Sequence, residues 1–290
     1  MDSVKLGEIQ IFRVVEMEIP FLPPQDLFTN VSPREVAEAC RAISPGSFCD
    51  RTGKLNFSFH SFLVKTPNST LLIDTCIGCD KSDDWFPDWY QRRDSSWLDR
   101  LHACDVKEDD IDYVLCTHLH LDHVGWNTRL VDGKWQPTFL NARYLFSKLD
   151  IEHYTQNRSI NFEENVQPVI DSGQAMFVDS DFVMDEYVRL SPSHGHTPGH
   201  VTVHLSSGEQ HAVMFGDVMH TPAQCTHPQW HFASDWNPEM AQQTREGFLE
   251  EHADRETLIL TGHFPSPSIG HIKTAERNYR FFYLEETRDV

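Results

Sequence analysis

The sequence predicts an α/β fold of two β-layers with helices on their outer faces, built from two similar halves within one domain spanning residues 1–290. Three observations predict it. Each half carries, in the same order, a hairpin ending in an aspartate, a helix, and a short apolar strand ending in a histidine. The spacing from aspartate to histidine is 44 residues for Asp74 and His118 and 46 for Asp217 and His263. Finally, 290 residues with 39% apolar and 11% aromatic side chains can fill one large core, since single domains run up to about 250–300 residues.

In the first half, Phe62-Leu63-Val64-Lys65 and Thr70-Leu71-Leu72-Ile73 flank the turn Thr66-Pro67-Asn68-Ser69 and read as a hairpin that delivers Asp74. Ser95 or Ser96 then caps a helix whose apolar residues Trp97, Leu98, Leu101 and Cys104 recur at helical spacing. Asp112-Tyr113-Val114-Leu115-Cys116 is apolar enough for a buried strand, and its end carries Thr117-His118. In the second half, Val201 to Leu205 and His211 to Phe215 flank Ser206 to Gln210 as another hairpin, delivering Gly216-Asp217. Asn237-Pro238 is an N-cap with a first-turn proline and opens a helix to about Glu251. Thr257 to Leu260 is the closing strand, ending in Thr261-Gly262-His263. Two such layers would gather these strand-end residues at one rim.

Three stretches do not repeat and are expected to be loops: roughly Pro23 to Leu55, Asp80 to Arg93 and Thr221 to Trp236. Two of them carry aromatics that a core does not require. Trp85, Phe86, Trp89, Trp230 and Phe264 are the candidates for a substrate pocket; packing under a loop and a dimer contact are the other readings.

A formal net charge of -20 repels polyanions, so nucleic acid is not expected as a partner. With no basic leader before an apolar stretch and no 18-residue apolar run, neither export nor a membrane span is expected. Seven scattered cysteines are an odd number and fit reduced thiols in a cytoplasm. Cys76-Ile77-Gly78-Cys79 has the spacing of a redox or zinc pair, but without a second pair it reads as a turn with buried thiols.

The chemistry concentrates in His118-Leu119-His120-Leu121-Asp122-His123. With 17 histidines in 290 residues, four such positions match by chance roughly a few times in a thousand. An extended chain would place His118, His120 and Asp122 on one side and His123 on another, an arrangement that suits two metal ions. Imidazole nitrogen with carboxylate oxygen favours zinc, with iron or manganese as the other candidates.

This run resembles the HxHxDH motif of the metallo-β-lactamase superfamily, and the resemblance extends from about Phe62 to His263. Gly195-His196-Thr197-Pro198-Gly199-His200 is similar to the stretch that holds the family's next metal histidine, which points to His196 over His194. Gly216-Asp217 looks like its bridging acid, and Thr261-Gly262-His263 like its last histidine.

The resemblance implies a four-layer αβ/βα sandwich with two divalent metals, one on His118, His120 and His196, the other on Asp122, His123 and His263, with Asp217 shared. A hydroxide between two cations would be the nucleophile, because coordination lowers the pKa of water from 15.7 to about 7. Asp122 would orient it or pass its proton to the leaving group, Asp74 would support a ligand histidine, and His200 would do the same or serve structure. The lactonase branch commonly carries a tyrosine where this chain has His220, which would either donate to an oxyanion or pack at the pocket wall. The implied activity is hydrolysis of an uncharged, small-molecule lactone or aryl ester by a soluble enzyme, with a homodimer open. Organophosphate triester hydrolysis and an iron-dependent oxidoreductase of the same fold are the alternatives.

Overall fold

The computed structural model describes residues 3–275 and 278–284. They divide into two compact units, the first drawn from Met1–Glu16 and Phe59–Tyr187, the second from Met17–Ser58 and Val188–Val290. The division follows the two expected halves with one addition. The segment Met17–Ser58 comes before the first half in sequence yet belongs to the second unit.

In the first unit, strands order as Ser3–Leu6, Ile9–Pro20, Lys54–Lys65, Thr70–Ile73, Tyr113–Leu115, Arg143–Ser147 and Ala175–Val178, the second and third running past the unit's limits. The expected hairpin is present, with Phe62 opposite Ile73 and Lys65 opposite Thr70. Its turn closes because Thr66 N–H donates to the Ser69 carbonyl while the Thr66 hydroxyl accepts the Asn68 and Ser69 N–H groups. Thr70–Ile73 and Tyr113–Leu115 run parallel, so their carboxyl ends, which lead to Asp74 and His118, emerge at the same edge of the sheet. Leu72, Val114 and Tyr144 pack with Trp97, Leu101 and Trp126 in one buried cluster. Burial on both faces explains why these strands read as unbroken apolar runs.

The second unit repeats the device. Its six strands order as Val188–Pro192, Val201–Ser207, Gln210–Met214, Leu258–Leu260, Ile269–Ala275 and Asn278–Tyr283. Gln210–Met214 and Leu258–Leu260 are parallel, so Asp217 and His263 also follow strands that end at one edge. The helix Pro238–His252 begins as expected, with the Asn237 side chain accepting the Met240 N–H and Pro238 in the first turn. Its Phe248 and Leu249 pack with Phe215, Phe264 and Phe281 in one buried core.

Three local expectations are corrected. The stretch Pro23 to Leu55 is not all loop: Pro24–Leu27 and the 11-residue Pro33–Ile43 are helices. The longer one has a complete capping box, Ser32 with Glu35, and buries Val36, Ala37 and Cys40. Ala223–Thr226 forms a helical turn inside the expected loop Thr221 to Trp236. The metal motif is extended only as far as His120, because Leu121–Val124 is a helical turn capped at His120, and Asp122 and His123 therefore diverge as neighbours on a helix do. Asp80 to Arg93 does lack helix and strand. No helix among the described residues is long and apolar enough to cross a membrane.

Candidate metal centre

In the first unit, Asp74 organises the motif. It follows its strand with φ of 58°, and its Oδ1 accepts the Thr117 N–H at 2.7 Å. Its Oδ2 accepts the Thr117 hydroxyl at 2.9 Å and the His123 Nδ1–H at 2.8 Å. With its proton given to Asp74, the Thr117 oxygen accepts from His118 Nδ1 at 3.1 Å. Both rings are thereby fixed in the tautomer whose Nε2 carries a lone pair. His118 Nε2 stands 3.1 Å from His120 Nδ1, and His123 Nε2 lies 3.7 Å from the Asp122 carboxylate.

In the second unit, three imidazole nitrogens surround one carboxylate. His196 Nε2 and His220 Nε2 lie 3.2 and 3.1 Å from Asp217 Oδ2, and His263 Nε2 lies 3.1 Å from Oδ1. The far nitrogens are anchored: His196 Nδ1 at 2.8 Å from Asp235, and His263 Nδ1 on the Ser58 carbonyl at 3.2 Å. His200 Nε2 accepts the Asp217 N–H at 3.0 Å and its Nδ1 pairs with the Ser193 hydroxyl, so it fixes the backbone from which the carboxylate projects. It is His196, rather than His194, that meets Asp217; the His194 carbonyl instead accepts the Thr244 hydroxyl.

Glycine makes this approach possible. Gly195 has φ of +131°, and a Cβ there would meet the Ala241 nitrogen at 2.3 Å. At Gly262, beside His263, a Cβ would meet the Gly216 oxygen at 2.5 Å.

The donor chemistry fits divalent metal. Histidines with one nitrogen anchored on oxygen and the other turned to a shared point are the arrangement of metal-binding imidazoles. A tetrahedral zinc with Zn–N near 2.05 Å has a ligand–ligand edge of about 3.3 Å, close to the 3.1 Å between the His118 and His120 nitrogens. Electrostatics agree: burial alone would lower the pKa of His196, but its bonds to Asp217 and Asp235 prevail and raise it to about 9. A proton is held tightly where a cation would sit.

Two residues escaped the sequence reading. Asp235 accepts from His196 and from the Phe232 N–H, and lies 3.8 Å from the guanidinium of Arg245. Arg245 is fully buried and donates to the carbonyls of Val218, Pro228 and Trp230. Asp235 lies in an expected loop, 39 residues from His196, with no motif to mark it.

His220 is 1% exposed, with its ring stacked on Phe232 at 3.4 Å and an 8° interplanar angle, and its Nε2 is turned to Asp217. The aromatic candidates separate. Trp85 is 63% exposed and leans on Trp89, which packs with Phe86 and Phe59. Trp230 is buried and stacked on His227. Phe264 lies in the second unit's core between Phe215 and Phe281, so its ring is taken up by packing. The seven cysteines are free thiols, and Cys76 and Cys79 face different partners, Ser61 and the Asp94 carbonyl.

The family model described as the metallo-beta-lactamase superfamily matches residues 59–263. Among solved structures, a hydrolase described as AbOPH in the beta lactamase superfamily is similar with a TM-score of 0.81 and 22% identity, covering 98% of this chain and 97% of that one. AidC, described as a dizinc quorum-quenching lactonase in complex with a homoserine product, has a TM-score of 0.80 and 20% identity over 98% and 97% of the two chains. A probable metal-dependent hydrolase from Staphylococcus aureus reaches 0.79 and 22% identity over 98% and 99%. No curated protein matches the chain.

Proposed function

Because the chain belongs to the metallo-β-lactamase superfamily and has its αβ/βα sandwich fold, we propose that it is a hydrolase dependent on two divalent metals and acting on an uncharged lactone or carboxylic ester. The observation that carries the reading is the pair of anchored histidines, His196 and His263, turned toward one carboxylate, Asp217. By the family resemblance, His118, His120 and His196 would hold one ion and Asp122, His123 and His263 the other, with Asp217 as the shared acid. When bound, the ions supply a water acidified from a pKa of 15.7 to about 7 and polarise the scissile carbonyl.

The chain's own groups do the rest. Asp122 is 18% exposed, more open than His123 at 3%, and is proposed to take a proton from the attacking water and return it to the departing alkoxide. His220 is assigned to Asp217: its Nε2–H holds Oδ2, and the ring wedged on Phe232 keeps the carboxylate from turning. We propose this role for His220 in preference to the oxyanion donation weighed from sequence. Asp74 and Asp235 hold His123 and His196 in the ligating tautomer. The exposed Trp85, backed by Trp89, is proposed to receive the apolar part of the substrate, and the charge of -20 disfavours anionic ones.

A lactone is supported by AidC's description as a lactonase. The test is a panel of acyl lactones, aryl esters and methyl parathion with zinc-loaded protein. Saturable turnover of a lactone or ester, lost with chelation and restored with zinc, is the expected result. Turnover of none, or a single bound iron with oxygen consumption, would overturn the proposal.

A further inference from the structure

A second polar assembly lies wholly in the second unit. The register sets Arg189 opposite His204, Ser206 opposite His211, and His204 opposite Val213, so Arg189, His204, Ser206 and His211 share one face of the sheet. The other face of the same strand carries Val201, Val203 and Leu205, all buried. The polar face is covered at His204, which is buried, because His252 at the end of the helix Pro238–His252 approaches it with ring centroids 6.3 Å apart, while Arg189 and His211 stay exposed at the rim. A covered sheet face is normally apolar.

Between them is a cavity of about 340 Å³ lined by Arg189, His204, His211, Glu251, His252 and Arg255. The guanidinium of Arg189 is held in place: it donates to His204 Nδ1 at 3.2 Å, and His204 Nε2 is in turn held by the Ser191 hydroxyl at 2.7 Å. The Arg255 N–H caps the His252 carbonyl at 3.4 Å, so that end of the helix does not present this oxygen to the cavity. In a chain with net charge -20, these walls carry two guanidinium groups, three imidazoles and one carboxylate. Their sign is opposite to that of the molecule. Burial first, then Arg189 and the neighbouring histidines, push His204 down to about 3.

We propose that this cavity is a binding site for a small oxyanion of the phosphate class, recognised by Arg189 and Arg255 with His211 and His252 as further donors. Guanidinium is the side chain best matched to such oxygens, because its paired N–H groups meet two of them at once.

The test titrates zinc-loaded full-length protein with inorganic phosphate at constant ionic strength, following the imidazole signals of His204, His211, His252 and, separately, His196. Saturable shifts of the first three are expected, weakened at least about tenfold in the Arg189→Gln/Arg255→Gln variant and strengthened in Glu251→Gln. A parallel arm with glycerol phosphate separates the sources: equal binding identifies the free ion, and tighter binding a phosphorylated metabolite whose remainder fills the cavity. Shifts confined to His196, no saturable shift, or a double variant that keeps its melting temperature and titrates like wild type would overturn the proposal.

Discussion

His196 lies between two carboxylates, and its behaviour tests the residue-level account. Removing the charge that anchors it, in Asp235→Asn, should weaken metal binding about 10–100-fold with the fold retained, as measured by competition with a chromogenic chelator; unchanged affinity would contradict the role given to Asp235. The raised pKa of His196, about 9, has a consequence for the metal-free protein. Its proton stabilises the folded chain fully below the unfolded value of about 6.5, and that contribution is lost as pH rises through about 9. The melting temperature of metal-free protein should therefore fall between those limits, while the zinc-loaded protein lacks this decline; parallel profiles would contradict it. The proposed ligands were legible because they occur in compact runs after strands. Asp235 and Arg245 were not, because only tertiary folding brings Asp235 to His196 and Arg245 to Asp235.

At the scale of elements, parallel pairing does the positioning. It puts the strand ends that lead to Asp74 and His118 on one edge and those that lead to Asp217 and His263 on another. The hairpins, helices and strands that do this were legible from periodicity and turn residues. The helix Pro33–Ile43 was not, although its Ser32-Pro33-Arg34-Glu35 start is a capping signal, because the surrounding polar stretch outweighed a short apolar stripe of Val36, Ala37 and Cys40. Ser32→Ala should cost about 1 kcal/mol and lower the melting temperature by about 2–4 °C; no change in a thermal scan would show that the cap is idle. The local helical turn at Leu121–Val124 was hidden for a different reason: alternating His and Leu imitate a strand. Gly195→Ala should misplace His196, since neither φ of +131° nor the nearby Ala241 backbone admits a Cβ. Loss of metal binding is expected, and wild-type affinity would refute the packing argument.

Across the whole molecule, the charge of -20 sets a field that acts before any contact forms. An anionic ester should be turned over less efficiently than its neutral isostere at low salt. The gap should narrow as salt rises above 0.1 M, where the Debye length is about 10 Å; a salt-independent ratio would show that the field does not reach the site. Composition and charge were legible at once, and so was the repeat of two halves. The assignment of Met17–Ser58 to the second unit was not, because nothing in the order of residues announces that a segment preceding one half packs with the other.

The central claim is a pair of metal ions sharing Asp217, and counting metal per chain tests it most directly. After reconstitution with zinc and removal of excess, elemental analysis should give two ions per wild-type chain and no more than one in Asp217→Ala, with hydrolysis lost in step. A single ion in the wild type, or two ions and full turnover in the variant, would contradict it.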